Sequence, residues 1–342
     1  MKIATVTLVG PGTVGMLADA LRSARHVADV FLLVPWGDLE EGEAAELATL
    51  AAEEPRIDLA ENIGERIPPG RDFAAARNRA LDLAACYKRC DVAIMLDTDE
   101  QMLADEATRG ALLSETQVLS GAVLECPMGE GEATRYKPRV FATAGLTTRY
   151  VGRVFEYWDG ETERFDALRV REIPKKGNAL RNKLTRDREV LESEDRSGPR
   201  WRFYLAQTYL DLIPFVPDMA ARYRLENMAL DAYRDCVAIH AFNKARGGAW
   251  DPEMVGWASF KASQLALTPA EKITVALEGL RLVPGFVELL WMLGSASWVE
   301  GDKQASEAWY SSAAANLHNK TSLDRREFRE PMILTGGPIY RS

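Results

Sequence analysis

Three acids crowd the end of one apolar run, Asp91-Val-Ala-Ile-Met-Leu-Asp97-Thr-Asp99-Glu100. The four apolar residues Ala93 to Leu96 read as a strand buried on both faces. Asp97 and Asp99 are two apart, so an extended backbone would point both carboxylates the same way. Gathered carboxylates repel one another, and the simplest counter-charge is a hard divalent cation with oxygen ligands, Mg²⁺ or Mn²⁺. The carboxyl edge of a parallel strand is also where open α/β sheets bind their ligands. A solvated acidic loop is the plainer alternative.

A second candidate lies at the start of the chain. Gly10-Pro-Gly-Thr-Val-Gly15 follows the apolar run Ile3–Val9 and satisfies G-x-G-x-x-G. The dinucleotide reading also needs an acid closing the second strand. That strand, Val30–Val34, ends instead in Pro35-Trp36, and Pro11 removes a backbone donor from the loop. The glycines are expected to serve a tight strand-to-helix turn, with neither NAD nor flavin bound.

The elements that must hold these residues change character along the chain. Strand patterns fall at Ile3–Val9, Val30–Val34, Ile57–Asp58, Val92–Leu96, Val118–Cys126, Lys137–Ala142 and Arg169–Ile173. Helical patterns fall between them at 13–25, 39–53, 72–89 and 103–114. This order predicts an α/β domain, a Rossmann-like sheet that is parallel in its first half and mixed or antiparallel in its second. From about residue 178 strand signals stop. Helical patterns follow at 179–194, 199–212, 218–243, 251–266, 269–282, 286–299 and 302–317. Pro269 to Ala315 places small residues where helices would cross closely, which reads as a helical-repeat array; an irregular bundle is the alternative. The expected boundaries are 1–177, 178–330 and a tail of 331–342.

Bulk properties narrow the function. The chain has 342 residues, 47% hydrophobic and 27% charged, with a net charge of −9. Residues 1–168 carry 17 basic and 29 acidic side chains. That excess argues against wide contact with a nucleic-acid backbone and suits a site that holds a cation. Four cysteines without C-x-x-C and three scattered histidines make a zinc site unlikely on spacing grounds. Buried or half-buried reduced thiols are expected. No apolar run is long enough to span a bilayer, and no signal-peptide pattern opens the chain, so a cytosolic protein is expected.

The segment Asp72-Phe73-Ala-Ala-Ala-Arg77-Asn78-Arg-Ala-Leu81, a short helix, and an apolar strand ending Leu-Asp-Thr-Asp-Glu together resemble family-2 glycosyltransferases of the GT-A fold. More narrowly, they are similar to the bacterial type with a tetratricopeptide-like C-terminal part. The likeness is good at 72–101, fair at 199–212 and thin elsewhere. It implies a nucleotide-sugar donor, a divalent metal and inverting transfer to a protein, glycan or other polymer acceptor. Asp99 would be the direct metal ligand and Asp97 a ribose contact or a further metal contact. Asp72, Arg77 and Asn78 would line the diphosphate or donor sugar; tying a helix start to the sheet is the other role open to Arg77 and Asn78.

The sequence also departs from the family. The acid that usually follows the second strand is replaced by Pro35-Trp36-Gly37-Asp38, so Trp36 would stack on the base or Asp38 would stand in for the acid. A usual His-Glu pair reads Phe155-Glu156, leaving Glu156 as the expected base on the acceptor hydroxyl, with Asp159 behind it. A salt bridge from Glu156 to Arg149, Arg153 or Arg164 competes with that role. Glu172 falls near a later family metal ligand. Residues 169–188 hold eight Lys or Arg against two acids, and Lys175, Lys176 and Arg181 would close over the diphosphate. That basic strip would also suit a nucleic-acid acceptor. A sugar nucleotidyltransferase and a non-catalytic scaffold with a degenerate transferase domain remain the alternatives.

Overall fold

The structure is a computed structural model, and it describes residues 1–87, 89–118, 121–129, 135–193 and 198–316. The chain divides into two compact units, Met1–Lys175 and Lys176–Ser342. Residues 331–342, expected to form a tail, lie outside the described residues.

The first unit is built on β1 (Ile3–Val9), α1 (Val14–Ala24), β2 (Val30–Pro35), α2 (Glu41–Glu53) and β3 (Ile57–Leu59). Next come α3 (Phe73–Asp82), which runs into a π turn at Leu83–Tyr87, then β4 (Val92–Met95), β5 (Glu100–Leu103) and α4 (Glu106–Val118). The rest comprises β6 (Val123–Met128), β7 (Arg135–Ala142), β8 (Tyr150–Val151), β9 (Tyr157–Trp158), β10 (Glu163–Arg164) and β11 (Arg169–Glu172). Among the described residues these strands form a nine-stranded sheet of order β3-β2-β1-β4-β7-β6-β11-β5, with β10 beside β6, and a separate β8-β9 pair. β3, β2, β1 and β4 run parallel. β7 is antiparallel to both β4 and β6, and β11 is antiparallel to β5. The mixed second half expected from the missing crossover helices is present.

Alternation along β1 builds two cores. Ile3 and Val9 pack with Leu17 and Leu21 of α1 on one face. Ala4, Val6 and Leu8 pack with Ala76, Ala80 and Leu81 of α3 on the other. The sheet therefore lies between helical layers. Two expectations shift. Val118 closes α4 instead of opening β6, because a helical run from Glu106 outweighs one β-branched residue. Cys86 is exposed on the π turn, while Cys90, Cys126 and Cys236 are buried.

The second unit contains α5 (Gly177–Ser193), α6 (Pro199–Leu212), a 3-10 turn (Ile213–Phe215), α7 (Met219–Ala245), α8 (Pro252–Leu265), α9 (Pro269–Leu282), α10 (Val287–Glu300) and α11 (Lys303–Asn316). Local chemistry sets these boundaries. Proline opens α6, α8 and α9, where no amide partner is needed. Asp218, Asp251 and Thr268 accept from the first free amides of α7, α8 and α9. Gly301 ends α10 at φ 86°, left-handed backbone that favours glycine. Each helix from α5 onward packs on the next. Among the described residues no helix is long and apolar enough to cross a membrane.

Small residues sit at the helix crossings. A Cβ on Gly256 would meet the Phe286 ring at 1.9 Å, one on Gly279 would meet Ser259 at 2.5 Å, and one on Gly294 would meet the Tyr310 ring at 2.7 Å. Gly256→Ala must push the buried Phe286 ring aside; a loss of roughly 1–3 kcal/mol is expected by urea denaturation. Gly42→Ala, on α2 with nothing within 4 Å, is the control that should not destabilise.

His240 on α7 is 4% exposed, and its Nδ1 accepts the Asp251 backbone N–H at 3.3 Å. Accepting at Nδ1 requires the neutral ring. Burial lowers the pKa from the ordinary 6.5, and the Asp251 charge opposes it only in part. The unfolded chain therefore binds this proton first as pH falls, so stability drops below about pH 6.5. The urea midpoint should fall from pH 7 to pH 5.5, and His240→Gln should flatten that slope.

Candidate active site

The acids after β4 do not continue an extended strand. Beyond Leu96 the backbone turns, and the Glu100 N–H donates to the Asp97 carbonyl at 3.0 Å. The Glu100 carboxylate returns the contact, accepting the Asp97 N–H at 3.0 Å. Glu100 then opens β5, with Cα partner Glu172 on β11. The turn sends the two aspartates to different partners. This corrects the expectation of parallel carboxylates, which assumed an extended backbone across Thr98.

Asp97 faces two buried arginines. Arg77, from α3, donates from Nη2 to Asp97 Oδ2 at 2.8 Å and from Nε to Glu156 Oε1 at 2.7 Å. Arg139, from β7, lies 3.6 Å from the same Asp97 oxygen and is hydrogen-bonded to Glu100. Side-chain exposure is 5% for Arg77, 4% for Arg139 and 1% for Glu100. Each guanidinium keeps one buried nitrogen, Nη1 of Arg77 and Nε of Arg139, that makes no hydrogen bond among the described residues. The Arg77 guanidinium also lies over the Tyr150 ring, 5.7 Å from its centroid. Burial alone would push the Asp97 carboxyl up, but Arg77 and then Arg139 outweigh it and hold it well below the usual carboxylate range. Glu100 goes the other way: burial pushes it up, and Arg139 offsets only part.

The remaining acids each have their own cation. Asp99 pairs with Lys175 at 3.0 Å, and its carbonyl accepts the Ile173 N–H at 2.7 Å. Glu172 pairs with Lys137 of β7. Among the described residues no group of three or more His, Cys, Asp or Glu is placed to hold a metal ion together. Asp97, Asp99 and Glu172 are each directed at a separate cation. Their negative charge is met by Arg77, Arg139, Lys175 and Lys137.

Several proposed contacts have structural duties. Asp72 caps α3, accepting the Ala75 N–H at 2.9 Å. Asn78 exchanges two hydrogen bonds with the Tyr150 backbone on β8, 3.0 Å from Nδ2 and 2.9 Å to Oδ1. These bonds tie α3 to β8. Trp36, offered for base stacking, is a core side chain at 4% exposure. Its ring packs edge-on against Phe73, and its Nε1 donates to the Ile67 carbonyl at 2.7 Å. Asp38 is exposed in the turn beyond β2, and Asp159 is exposed after β9. Glu156 forms a salt bridge, but with Arg77 and not with the three arginines nearer in sequence. Lys176 and Arg181 belong to the second unit, Arg181 exposed on α5.

The glycine turn after β1 is closed internally. Thr13 Oγ1 donates to the Gly10 carbonyl at 2.7 Å, and the Gly12 N–H donates to Glu43 Oε1 at 2.8 Å. Gly12 adopts φ 78°, which glycine accepts without strain. Phe155 carries φ 52° immediately before Glu156, a costly conformation for a bulky residue.

Sequence reasoning missed Arg139 and Lys137. Their signal was two cations, spaced by two, inside the apolar strand Lys137–Ala142. Such a pair has to meet negative charge on one face of the sheet.

No protein-family model matches the chain, and no curated protein matches it. Among solved structures, the crystal structure of MamA is similar at 17% identity, covering 42% of this chain and 91% of that one, with a TM-score of 0.25. Likeness at that level leaves the site to be read from its own geometry.

The two kinds of ion pair separate energetically. Glu100→Ala strands a buried Arg139 and should cost about 3–5 kcal/mol. Glu172→Ala breaks a pair that is about one-third exposed on both sides, so ~0–1 kcal/mol is expected. Chemical denaturation of both variants measures the difference.

Proposed function

We propose that the chain is a nucleotide-sugar-dependent glycosyltransferase with a GT-A-type catalytic unit and a tetratricopeptide-like helical unit. The observation that carries this reading is the place of the acidic turn. It follows β4, which lies parallel beside β1 and ends the parallel run β3-β2-β1-β4. The chain steps from β1 to β2 and β3 one way along the sheet and then returns from β3 to β4 on the other side of β1, and the carboxyl ends at such a reversal form a ligand-binding crevice. Arg77 joins that turn to Glu156, the carboxylate retained from the family pattern.

In this reading an acceptor hydroxyl attacks the anomeric carbon of the donor. Its proton passes to Glu156, and the bond from that carbon to the diphosphate oxygen breaks with its electron pair leaving on the phosphate. Single displacement inverts the anomeric centre. Arg77 fixes Glu156 and Asp97 relative to each other throughout, and the strained backbone at Phe155 aims the base. The helical unit offers a surface for a protein or glycan acceptor, as helical arrays do.

Turnover of UDP-, GDP-, CMP- and TDP-sugars tests the proposal. At least one donor should be consumed, and Glu156→Gln should lower kcat by about 10²–10⁴-fold. If every donor is left intact, the non-catalytic scaffold is the better reading; if donor is consumed but Glu156→Gln and Asp97→Asn both turn over like wild type, the turnover does not arise at this site and the proposed mechanism fails.

A further inference from the structure

Granting the transferase reading, we infer that this site handles its diphosphate without a divalent cation, with Lys175 as the exchangeable counter-charge. Three observations lead there. A divalent ion needs several oxygens converging at about 2.0–2.2 Å, but Asp97, Asp99 and Glu172 each face a separate protein cation. Recruiting Asp97 to an ion would strip a partner from Arg77 and from Arg139, both of them buried. Arg77 would then keep only Glu156 and Arg139 only Glu100, each for a buried guanidinium, so those contacts resist exchange. Nη1 of Arg77 and Nε of Arg139, buried and without a hydrogen bond among the described residues, leave donors unsatisfied at the site.

Lys175 differs from the buried arginines. It is about one-third exposed, and its Nζ sits 3.0 Å from Asp99, itself 23% exposed. A pair this open to water exchanges partners readily. An arriving diphosphate, with more charge than one carboxylate, can take the ammonium from Asp99. Lys137 lies close enough to lower both Asp97 and Glu100, and it reinforces the positive side of the site.

The sign of one substitution separates this arrangement from a metal site. In a metal site Asp99→Asn removes a ligand and abolishes diphosphate binding. Here it frees Lys175 from a competitor, so binding holds or tightens. The test uses the full chain with UDP, GDP, CDP and dTDP, followed by thermal shift in EDTA and in Mn²⁺. Binding of Mn²⁺ to the protein alone is read from the electron-paramagnetic signal of the free ion. At least one diphosphate should raise Tm equally in both buffers, and the protein alone should leave the Mn²⁺ signal unchanged. Asp99→Asn should keep the shift, and Lys175→Gln should weaken affinity about tenfold, the loss of one charge-assisted contact. The unliganded Tm of each variant checks its folding. A shift that requires Mn²⁺ and vanishes in Asp99→Asn, or one Mn²⁺ bound per chain, overturns the inference and leaves the transferase reading standing. No shift from any diphosphate in either buffer overturns both.

Discussion

Two guanidinium groups enclosed by protein set the terms for everything around them. Arginine cannot shed its proton, so Arg77 and Arg139 must find carboxylates within the fold or go unformed. They find three: Asp97, Glu100 and Glu156. These acids come from the turn after β4, the start of β5 and the segment before β9. The arginines come from α3 and β7. Five chain segments are thus pinned to one another by charge at the carboxyl end of β4. The planar fork of Arg77 makes this a fixed geometry, since its Nε and Nη2 point to different acids at 2.7 and 2.8 Å.

The supporting elements share that purpose. Asp72 starts α3 five residues before Arg77, and Asn78 locks the next position to the β8 backbone. The Phe73 N–H donates to the Arg153 carbonyl at 2.7 Å, in the segment leading to Glu156. Residues that look like ligand contacts from the sequence therefore serve as the frame. Their polar atoms are directed inward because a buried arginine tolerates little displacement. The contrast between buried and open pairs follows: Arg139–Glu100 is fixed, whereas Lys175–Asp99 and Lys137–Glu172 remain open to water. Permanent order and exchangeable charge lie side by side in one site.

The helical unit is organised by a different constraint. Gly256, Gly279 and Gly294 lie where neighbouring side chains approach closely, so the helices pack through large residues filling the space that glycine leaves. Trp257 meets Phe260 and Phe286 edge to face. Among the polar groups of this interior, His240 Nδ1 is held by the Asp251 N–H at the start of α8.

Much of the architecture was legible because its causes are local. Prolines at helix starts, capping side chains and Gly301 mark the helices of the second unit nearly to the residue, and apolar runs mark β1, β2 and β4. The short strands β5, β8, β9 and β10 were not legible. Two to four residues carry too little pattern, and β5 and β10 pair with chain segments distant in sequence. The sequence by itself determined the order of elements, the change from sheet to helices and the concentration of acid after β4. Only the tertiary structure decided which cation meets which acid. Asp97 and Arg77 are 20 residues apart, Arg77 and Glu156 are 79, and Glu100 and Arg139 are 39. Pairing over such separations depends on strand order and on a turn closed by Glu100, and neither leaves a local trace in the chain.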